Sequence, residues 1–285
     1  MKILTFDIEE WFHILDNEST KNERQWVNFE YRLESNLDRI LELLSSNNQK
    51  ATFFCLGWIA KKFPNILKKI DRYKYEIGTH SNLHTLVYEQ THSEFKKDLL
   101  DSIYNIEDIT GKKVISYRAP GFSILNKNKW VFEELIDAGI KFDCSIFPTK
   151  RAHGGFKDFP SRYPSIIKVG DKKIKEFPIN TLSFAYSQIV FSGGGYFRLL
   201  PYSLIYNFTK HSDYVMTYFH PRDFDNSQPI IKNLSFYRKF KSYYGIKYAF
   251  TKLEKLIKDF DFIDLENANK LIKWDSSLEI NYDDL

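Results

Sequence analysis

Cysteine is scarce in this chain, with two among 285 residues. Cys55 lies in the apolar run ATFFCLGW, Cys144 follows an aspartate on a predicted strand, and neither belongs to a CxxC or other metal-binding pattern. This usage excludes a disulfide scaffold and a cysteine-ligated zinc site, and it fits a reducing compartment. A chain of this length can bury a large core without disulfide bonds.

Long apolar runs are also missing, and none reaches the roughly 18 residues that a membrane-spanning helix needs. The N-terminus has no basic region followed by an apolar stretch, so we expect no signal peptide. These two absences predict a cytoplasmic location and no transmembrane segment. Peripheral contact with a membrane-borne substrate stays open.

Neither sign of charge dominates: the chain has 41 Lys and Arg residues and 37 Asp and Glu residues, which gives a net charge of +4. The charges are spread along the chain, which argues against a nucleic-acid partner. Aromatic residues are abundant, with 25 Phe, 18 Tyr and 5 Trp. Aromatic faces suit sugar rings, but a general bias toward Phe, Tyr, Lys and Asn explains the count equally well and is the favoured interpretation.

Short β-rich runs alternate with helical patterns along the chain. The predicted strands are KILTFDIE, ATFFCLG, YEIGTH, KVISYRAP, KFDCSIFP, IKEFPIN, YVMTYFH and FDFIDL. The predicted helices are YRLESNLDRILELLSS, a helix broken at Pro64, a helix from the N-cap Ser93 to Gly111, KNKWVFEELIDAG, residues 201–212 and one long helix at 234–259. This alternation predicts an α/β fold with a mostly parallel sheet. Seven or eight units favour a single (β/α)7-8 barrel domain over residues 1–285, with a doubly wound open sheet as the alternative.

Polar side chains follow the ends of most predicted strands. The set is Asp7 and Glu9, His80 and His84, Arg118, Asp143, Glu176 and His220. In a βα barrel the carboxyl ends of all strands meet on one face, where active sites lie. The joint placement therefore predicts an active site on that rim, although each residue alone has an ordinary structural explanation.

The segment HSNLH places His80 and His84 four residues apart. On a helix, residues i and i+4 share a face, so both imidazoles could bind one metal at about 2.0–2.1 Å, the usual Zn–N distance. The pair alone is weak support, because a catalytic zinc site commonly has a third protein ligand. Side chains alternate along a strand, so Asp7 and Glu9 point one way and Glu10 the other. These two carboxylates are expected to supply the third ligand and a base.

Five segments, TFDIEEW, HSNLH, RAPGFS, FDCSIFP and YFHP, carry a family resemblance in that order. The chain resembles the polysaccharide deacetylases (NodB homology, carbohydrate esterase family 4), and most of all a subgroup encoded with exopolysaccharide or O-antigen genes. The resemblance implies a distorted (β/α) barrel of the NodB-homology type and a divalent metal, most often zinc, with cobalt, nickel or manganese as alternatives. It implies Asp7 as general base, His80 and His84 as metal ligands, Arg118 as the residue that orients Asp7, and His220 as general acid.

The first motif departs from the common family pattern, in which two adjacent aspartates act as base and ligand. Ile8 follows Asp7 and cannot bind a metal. Some family members use a carboxylate two positions on, which makes Glu9 the ligand, and strand alternation favours the same choice independently. Asp7 as the metal ligand stays an open alternative.

Further candidates for contact with the substrate or for support of the site are Pro120, Asp143, Glu176, Trp11 and Tyr196. Asp143 or Glu176 is expected to raise the pKa of His220. Trp11 either stacks on a sugar ring or packs under the barrel rim, and packing is favoured. The glycines at 193–195 form either a loop that closes over a sugar or a plain turn.

The predicted function is metal-dependent removal of an N-acetyl group from a sugar during synthesis of exopolysaccharide, capsule or O-antigen. Without a signal peptide, the expected substrate is a nucleotide-linked or lipid-linked precursor. One alternative keeps the fold and changes the bond, to a formamide, ureide or imide. A second alternative is a non-catalytic sugar-binding protein with a decayed site, which the intact set of polar residues argues against.

Overall fold

The structure is a computed structural model that describes residues 1–15, 17–151, 153–184, 187–231 and 234–285. Its helices are α1 (Glu23–Trp26), α2 (Leu33–Ser46), α3 (Gly57–Lys62), α4 (Pro64–Arg72), α5 (His92–Thr110), α6 (Val131–Asp137), α7 (Gly194–Leu199), α8 (Tyr202–His211), α9 (Phe236–Tyr243), α10 (Ile246–Asp259) and α11 (Leu265–Leu271). Its strands are β1 (Lys2–Ile3), β2 (Thr5–Ile8), β3 (Thr52–Cys55), β4 (Glu76–Thr79), β5 (Ser116–Tyr117), β6 (Phe142–Asp143), β7 (Ser165–Val169), β8 (Lys172–Glu176), β9 (Leu182–Phe184), β10 (Ser187–Ile189), β11 (Val215–Met216) and β12 (Glu279–Asn281).

One sheet of eight strands organises the fold, in the order β12-β7-β8-β6-β5-β4-β3-β2. All neighbours are parallel except the antiparallel pair β7 and β8. A bridge between Phe6 and Phe219 extends the pairing beyond β2. The predicted α/β class with a mostly parallel sheet is confirmed, and within the described ranges the hydrogen bonding does not close into a complete ring.

The first strands are buried on both faces, as expected for parallel strands covered by helices. Every residue of β2 and β3 is buried, and the rings of Phe6 and Phe53 stack with centroids 5.3 Å apart. Each such ring contributes roughly 1.5–3 kcal/mol when it leaves water. Helix α2 covers this layer with Leu37, Ile40 and Leu44, so the carboxyl end of β2 is held on a rigid support.

Some predicted helix boundaries are confirmed and one is wrong. Pro64 separates α3 from α4, and Gly111 ends α5 in the left-handed conformation. The N-cap of α5 is Thr91, not Ser93, because the Thr91 hydroxyl accepts a hydrogen bond from the Glu94 N–H while the Glu94 carboxylate accepts one from the Thr91 N–H. This capping box satisfies two helix-end donors, which Ser93 could not do from inside the first turn.

The C-terminal third differs most from the predicted elements. The long helix predicted for 234–259 is two helices, α9 and α10, because Gly245 adopts a left-handed φ of 76° between them. The predicted strand FDFIDL provides only a bridge from Ile263 to Ile3. Strands β7, β9, β10 and β12 were not predicted, since short strands in an irregular segment show no clear period. In the part of the chain that the structure describes, no helix has both the length and the apolar character to cross a membrane.

Candidate active site

Near the end of β2, the buried carboxylate of Asp7 pairs with the buried guanidinium of Arg118. Asp7 is 2% exposed, and its Oδ1 accepts a hydrogen bond of 2.7 Å from Nη1 of Arg118. Arg118 follows β5, is fully buried, and also donates to the Thr5 hydroxyl at 2.7 Å and the Cys144 carbonyl at 3.3 Å. Its guanidinium carbon lies 4.3 Å from the centre of the Phe54 ring. These contacts fix the Arg118 side chain, which in turn fixes one oxygen of Asp7.

Glu9, His80 and His84 converge beside Asp7. One possible ligand atom from each lies within 4.8 Å of the other two, and His84 Nε2 is 2.7 Å from Glu9 Oε2. Glu9 is buried, and a carboxylate out of water is costly unless its charge is paired. A cation among these three groups would pair it, in addition to the contact with His84. The donor set therefore fits a divalent metal, with the imidazole and carboxylate ligands that zinc accepts.

The two histidines meet through a loop, and the helical arrangement predicted for HSNLH is wrong. Ser81 and His84 have left-handed φ angles of 71° and 57°. The Asp98 carboxylate on α5 accepts hydrogen bonds from the backbone N–H groups of Asn82 and Leu83, at 2.8 and 3.1 Å. This distant carboxylate replaces the backbone bonds that a helix would make, so it holds the loop that places both imidazoles.

The histidine tautomer at the centre is set by the backbone. Nδ1 of His80 lies 2.7 Å from the Arg118 carbonyl, and since a carbonyl only accepts, Nδ1 carries the proton and Nε2 is left as the ligand atom. Burial lowers the pKa of His80 to about 4, which keeps the ring neutral as ligation requires. Burial opposes ionisation of Glu9, but the neighbouring His84 and His220 outweigh it and lower the Glu9 pKa below its usual range.

His220 faces the carboxylates from the opposite side. Its Nε2 is 3.7 Å from Asp7 Oδ2 and 3.7 Å from Glu9 Oε1, and its side chain is 23% exposed. Burial lowers the His220 pKa, but the charge of Glu9 and the charge and hydrogen bond of Asp223 outweigh it and raise the pKa to about 9. A cationic imidazole in contact with solvent can donate a proton to a bound molecule.

The partner of His220 was missed in the sequence. His220 Nδ1 lies 2.9 Å from Asp223 Oδ2, and Arg198 Nε lies 3.2 Å from Asp223 Oδ1. The spacing His-x-x-Asp in YFHPRD was the available signal, because residues three apart in a tight turn face each other. The expectation that Asp143 or Glu176 raises the His220 pKa is corrected by this geometry.

Asp143 and Glu176 instead form a buried pair. They sit opposite each other in the register of β6 and β8, and both are fully buried. Burial raises the pKa of each, and for Glu176 the proximity of Asp143 raises it further. Asp143 accepts a hydrogen bond of 2.5 Å from the Ser145 hydroxyl, and Glu176 accepts one of 3.2 Å from the Ile146 N–H. Such carboxyls share a proton rather than two charges, which suits a structural role beneath the site.

The remaining candidates line or support the site in different ways. Trp11 is 4% exposed and its indole donates to the Glu30 carbonyl at 2.8 Å, so its ring lies in the core. Pro120 is buried at the start of the turn that follows Arg118. Tyr196 is half-exposed on α7, with the Arg151 guanidinium 5.1 Å from its ring centre.

Glu10 and the glycine run have structural places. Glu10 Oε1 accepts hydrogen bonds of 3.0 Å from the N–H groups of Arg32 and Leu33, so it caps α2, in line with its expected orientation away from Asp7. Gly193 pairs with Tyr218 and the next two glycines begin α7. A side chain at Gly193 would overlap the Tyr218 carbonyl, so glycine here permits a close approach of two backbones.

Comparison with known families identifies the first half of the chain. The family model for polysaccharide deacetylase matches residues 17–142. Residues 17–142, which include the histidine pair and Arg118, are similar to that family. A second model, a domain of unknown function (DUF3473), matches residues 144–270. The two matches meet at β6, so both contribute strands to the same sheet.

Curated relatives of the deacetylase domain share part of their length with it. A peptidoglycan-N-acetylglucosamine deacetylase of Bacillus cereus is 34% identical over 97 residues, which is 34% of this chain and 35% of the relative. A peptidoglycan deacetylase of Helicobacter pylori is 29% identical over 138 residues, which is 48% of this chain and 42% of the relative. The chain thus matches less than half the length of these relatives.

Solved structures share the fold over most of the chain. A protein described as a polysaccharide deacetylase from Mycobacterium smegmatis superposes with a TM-score of 0.65 and 17% identity, over 97% of this chain and 91% of that one. Another so described, from Pseudomonas aeruginosa, gives 0.59 and 13%, over 94% and 89%. A mutant of a carbohydrate esterase family 4 pseudoenzyme, described as having restored enzymatic activity, gives 0.50 and 16%, over 94% and 66%. Because a pseudoenzyme shares this fold, activity has to be argued from the site residues.

Proposed function

We propose that this chain is a metal-dependent hydrolase that removes an N-acetyl group from a sugar in surface polysaccharide synthesis. The observation that carries the proposal is the convergence of one buried carboxylate, Glu9, and two imidazoles, His80 and His84, with possible ligand atoms within 4.8 Å of one another. A base candidate, Asp7, and an acid candidate, His220, lie on either side of it. A purely structural role would not require these five side chains to meet at the carboxyl ends of the strands.

Glu9, His80 and His84 would hold the metal, and zinc is the proposed metal. When bound, the metal supplies a Lewis acid that makes water more acidic and stabilises negative charge on the acyl oxygen. The choice of Glu9 over Asp7 as the carboxylate ligand is supported by their hydrogen bonds. Arg118 occupies Asp7 Oδ1, whereas Glu9 Oε2 contacts His84 Nε2 and Glu9 is the carboxylate grouped with both histidines.

Asp7 is the proposed general base. Arg118 holds its Oδ1, so Oδ2 is the oxygen left to take a proton from the attacking water. His220 is the proposed general acid, because its Nδ1 is held by Asp223 and its Nε2 points toward the same carboxylates. The hydrolysis consumes one water, breaks the C–N bond, and needs one proton delivered to the leaving nitrogen, which His220 Nε2–H can supply.

The second half of the chain is proposed to complete the site. His220, Asp223 and Arg198 all fall in the region matched by the domain of unknown function, while the histidine pair and Arg118 fall in the deacetylase match. A hydrolase built this way needs both halves for acid–base chemistry. We infer that the domain of unknown function contributes the general acid and its support.

The substrate class is proposed from the family. Polysaccharide deacetylases act on N-acetylated sugars, and the curated relatives are named for peptidoglycan deacetylation. An N-acetylated sugar on a nucleotide or lipid carrier is the proposed substrate here. Tyr196, half-exposed beside Arg151, is the aromatic surface proposed to contact it.

Metal analysis followed by an acetate-release screen tests the proposal. The purified protein is expected to bind about one zinc, cobalt, nickel or manganese per chain and to release acetate from UDP-linked or lipid-linked N-acetyl sugars. His80→Ala should lose the metal, whereas the control His211→Ala, an exposed histidine on α8, should keep it. Asp7→Asn should keep the metal and lose most turnover.

Three results would count against specific parts of the proposal. Protein that binds no divalent metal, and gains no acetate release when metal is added, refutes the hydrolase. Release of formate or ammonia in place of acetate moves the activity to a formamide, ureide or imide. Retained turnover in Asp7→Asn shows that another group is the base.

A further inference from the structure

One stretch in the C-terminal third of the chain has basic side chains and no acidic ones. Residues 226–253 contain six Lys and Arg and no Asp or Glu. The same stretch holds seven Phe and Tyr. Basic residues interleaved with aromatics over this length are typical of a surface that meets an anionic, partly apolar partner.

Helix α9 within this stretch exposes its aromatic side chains to solvent. It has no buried residue, and Phe236 is 87% exposed. Tyr237, Phe240 and Tyr244 are also exposed. Phe240 lies four residues after Phe236, on the same side of the helix, and Tyr244 directly follows the last helical residue with its ring beside that of Phe240. Together with Lys241, these four residues are called the aromatic–basic face.

Contacts within the aromatic–basic face make it continuous. The rings of Phe240 and Tyr244 lie with centroids 4.7 Å apart, and the Lys241 ammonium lies 4.4 Å above the Tyr237 ring. The face is therefore a connected patch, which is unusual for a protein surface without a partner. The start of α10 adds exposed Lys247 and Tyr248.

The opposite side of α9 is attached to the candidate active site. Arg238 donates to His153 Nε2 at 3.1 Å. Arg198 donates to the carbonyls of Ser242 and Lys241 at 2.6 and 2.9 Å, and the same guanidinium contacts Asp223, which holds His220. The aromatic–basic face is thus held two side chains away from the proposed general acid.

We propose that the aromatic–basic face of α9 binds the surface of a membrane that contains anionic lipid. Phe236 and Phe240 have no polar atom and would gain by leaving water for the headgroup boundary, while the lysines meet lipid phosphates. Residues 226–253 contain no carboxylate that would repel lipid phosphates. A second copy on this face would bring like-charged lysines together, which disfavours self-association.

The proposal is independent of hydrolysis and is tested by vesicle binding of the full chain. The protein should sediment with phosphatidylcholine vesicles that contain about one third phosphatidylglycerol, and not with pure phosphatidylcholine. Raising the salt from about 0.1 M to about 1 M shortens the screening length from roughly 10 Å to 3 Å and should release most of it. Lys241→Gln with Lys247→Gln should weaken binding roughly 25-fold, at about fivefold for each charge.

The apolar contribution has its own variant and control. Phe236→Ser with Phe240→Ser should weaken vesicle binding roughly tenfold or more, with the thermal unfolding temperature unchanged because both side chains are exposed. The matched control is Tyr104→Ser with Lys61→Gln, also exposed but on α5 and α3, which should bind as the parent does.

A fluorescent label reports insertion directly. The native Cys55 and Cys144 are fully buried, so an environment-sensitive dye can be placed on Phe236→Cys alone. Its emission should shift to the blue on anionic vesicles, while a dye on Tyr104→Cys should not shift.

Other occupants of the face are distinguished in the same experiments. Absence of vesicle binding, or binding equal in the Phe236 and Tyr104 variants, overturns the proposal. Tighter binding to a soluble anionic polysaccharide, weakened by the same lysine changes, assigns the face to polymer instead. A dimer in solution that Phe236→Ser dissociates assigns it to a second copy.

Discussion

The buried ion pair between Arg118 and Asp7 gives the most direct test of how this site is held together. Arg118 is fully buried and donates to Asp7 at 2.7 Å. Arg118→Met keeps much of the packing against Phe54 but leaves the Asp7 carboxylate without its cation. Loss of one partner of a buried pair costs about 3–5 kcal/mol, so the free energy of unfolding should fall by that amount.

A double-mutant cycle isolates the pair from the packing. Asp7→Asn alone leaves a buried guanidinium beside a neutral amide, whereas the double variant Asp7→Asn with Arg118→Met removes both charges. We expect the double variant to be less destabilised than the sum of the single variants, because each single variant leaves an uncompensated buried charge and the double variant leaves none.

Urea unfolding at neutral pH, in the presence of a chelator, measures these four free energies without any contribution from a bound metal. Arg24→Met, on the exposed surface of α1, is the control and should change stability by less than about 0.5 kcal/mol. Single effects that simply add, within about 0.5 kcal/mol, would refute the view that Arg118 is buried chiefly to neutralise and orient Asp7.

Other predictions address the acid, a buried glutamate and a tight backbone approach. Asp223→Asn should lower the rate of acetate release by about 10²–10⁴-fold, the usual contribution of a general acid, with metal content unchanged; loss of metal would give this residue a different role. Burial raises the pKa of Glu76 to about 7 from 4.5, so the folded state binds the Glu76 proton more tightly than the unfolded state does. The stabilisation that protonated Glu76 gives the folded state is complete below about pH 4.5 and is lost as the pH rises through about 7. Relative to Glu76→Gln, the parent should therefore lose up to about 3 kcal/mol of unfolding free energy between about pH 5 and 8, and parallel pH curves would contradict the burial argument. Gly193→Ala should cost about 1–3 kcal/mol through overlap with the Tyr218 carbonyl, whereas Gly195→Ala, with its nearest neighbour at 3.4 Å, should cost clearly less in the same thermal unfolding scan.

Local patterns in the sequence predicted several features well. The α/β class followed from the alternation of strands and helices, and the helix break at Pro64 and the stop at Gly111 followed from backbone chemistry that needs no tertiary partner. The same kind of reasoning could have found Asp223, since a carboxylate three residues after His220 is visible in YFHPRD. The break of the last long helix at Gly245 was also available from composition, although glycine within a helix is often tolerated.

Other features depended on contacts between distant segments. The loop that carries His80 and His84 bends as it does because Asp98 on another helix accepts its backbone N–H groups. Asp143 and Glu176 pair because β6 and β8 share a register, and strand order cannot be deduced from spacing along the chain. The expected contact of either acid with His220 was wrong for that reason.

The sequence by itself determined which chemical groups were present and which ones share a strand face, because alternation of side chains is a property of the backbone. In this way it determined that Asp7 and Glu9 share one face of β2 and that Glu10 points to the other. Only the tertiary structure decided that Arg118 occupies one oxygen of Asp7 while an oxygen of Glu9 contacts His84. Only the tertiary structure shows that Arg198 contacts both the end of α9 and Asp223, and so connects this helix to the candidate site. Those outcomes depend on which strands become neighbours and what burial does to each charge, and both are settled by packing across the whole chain.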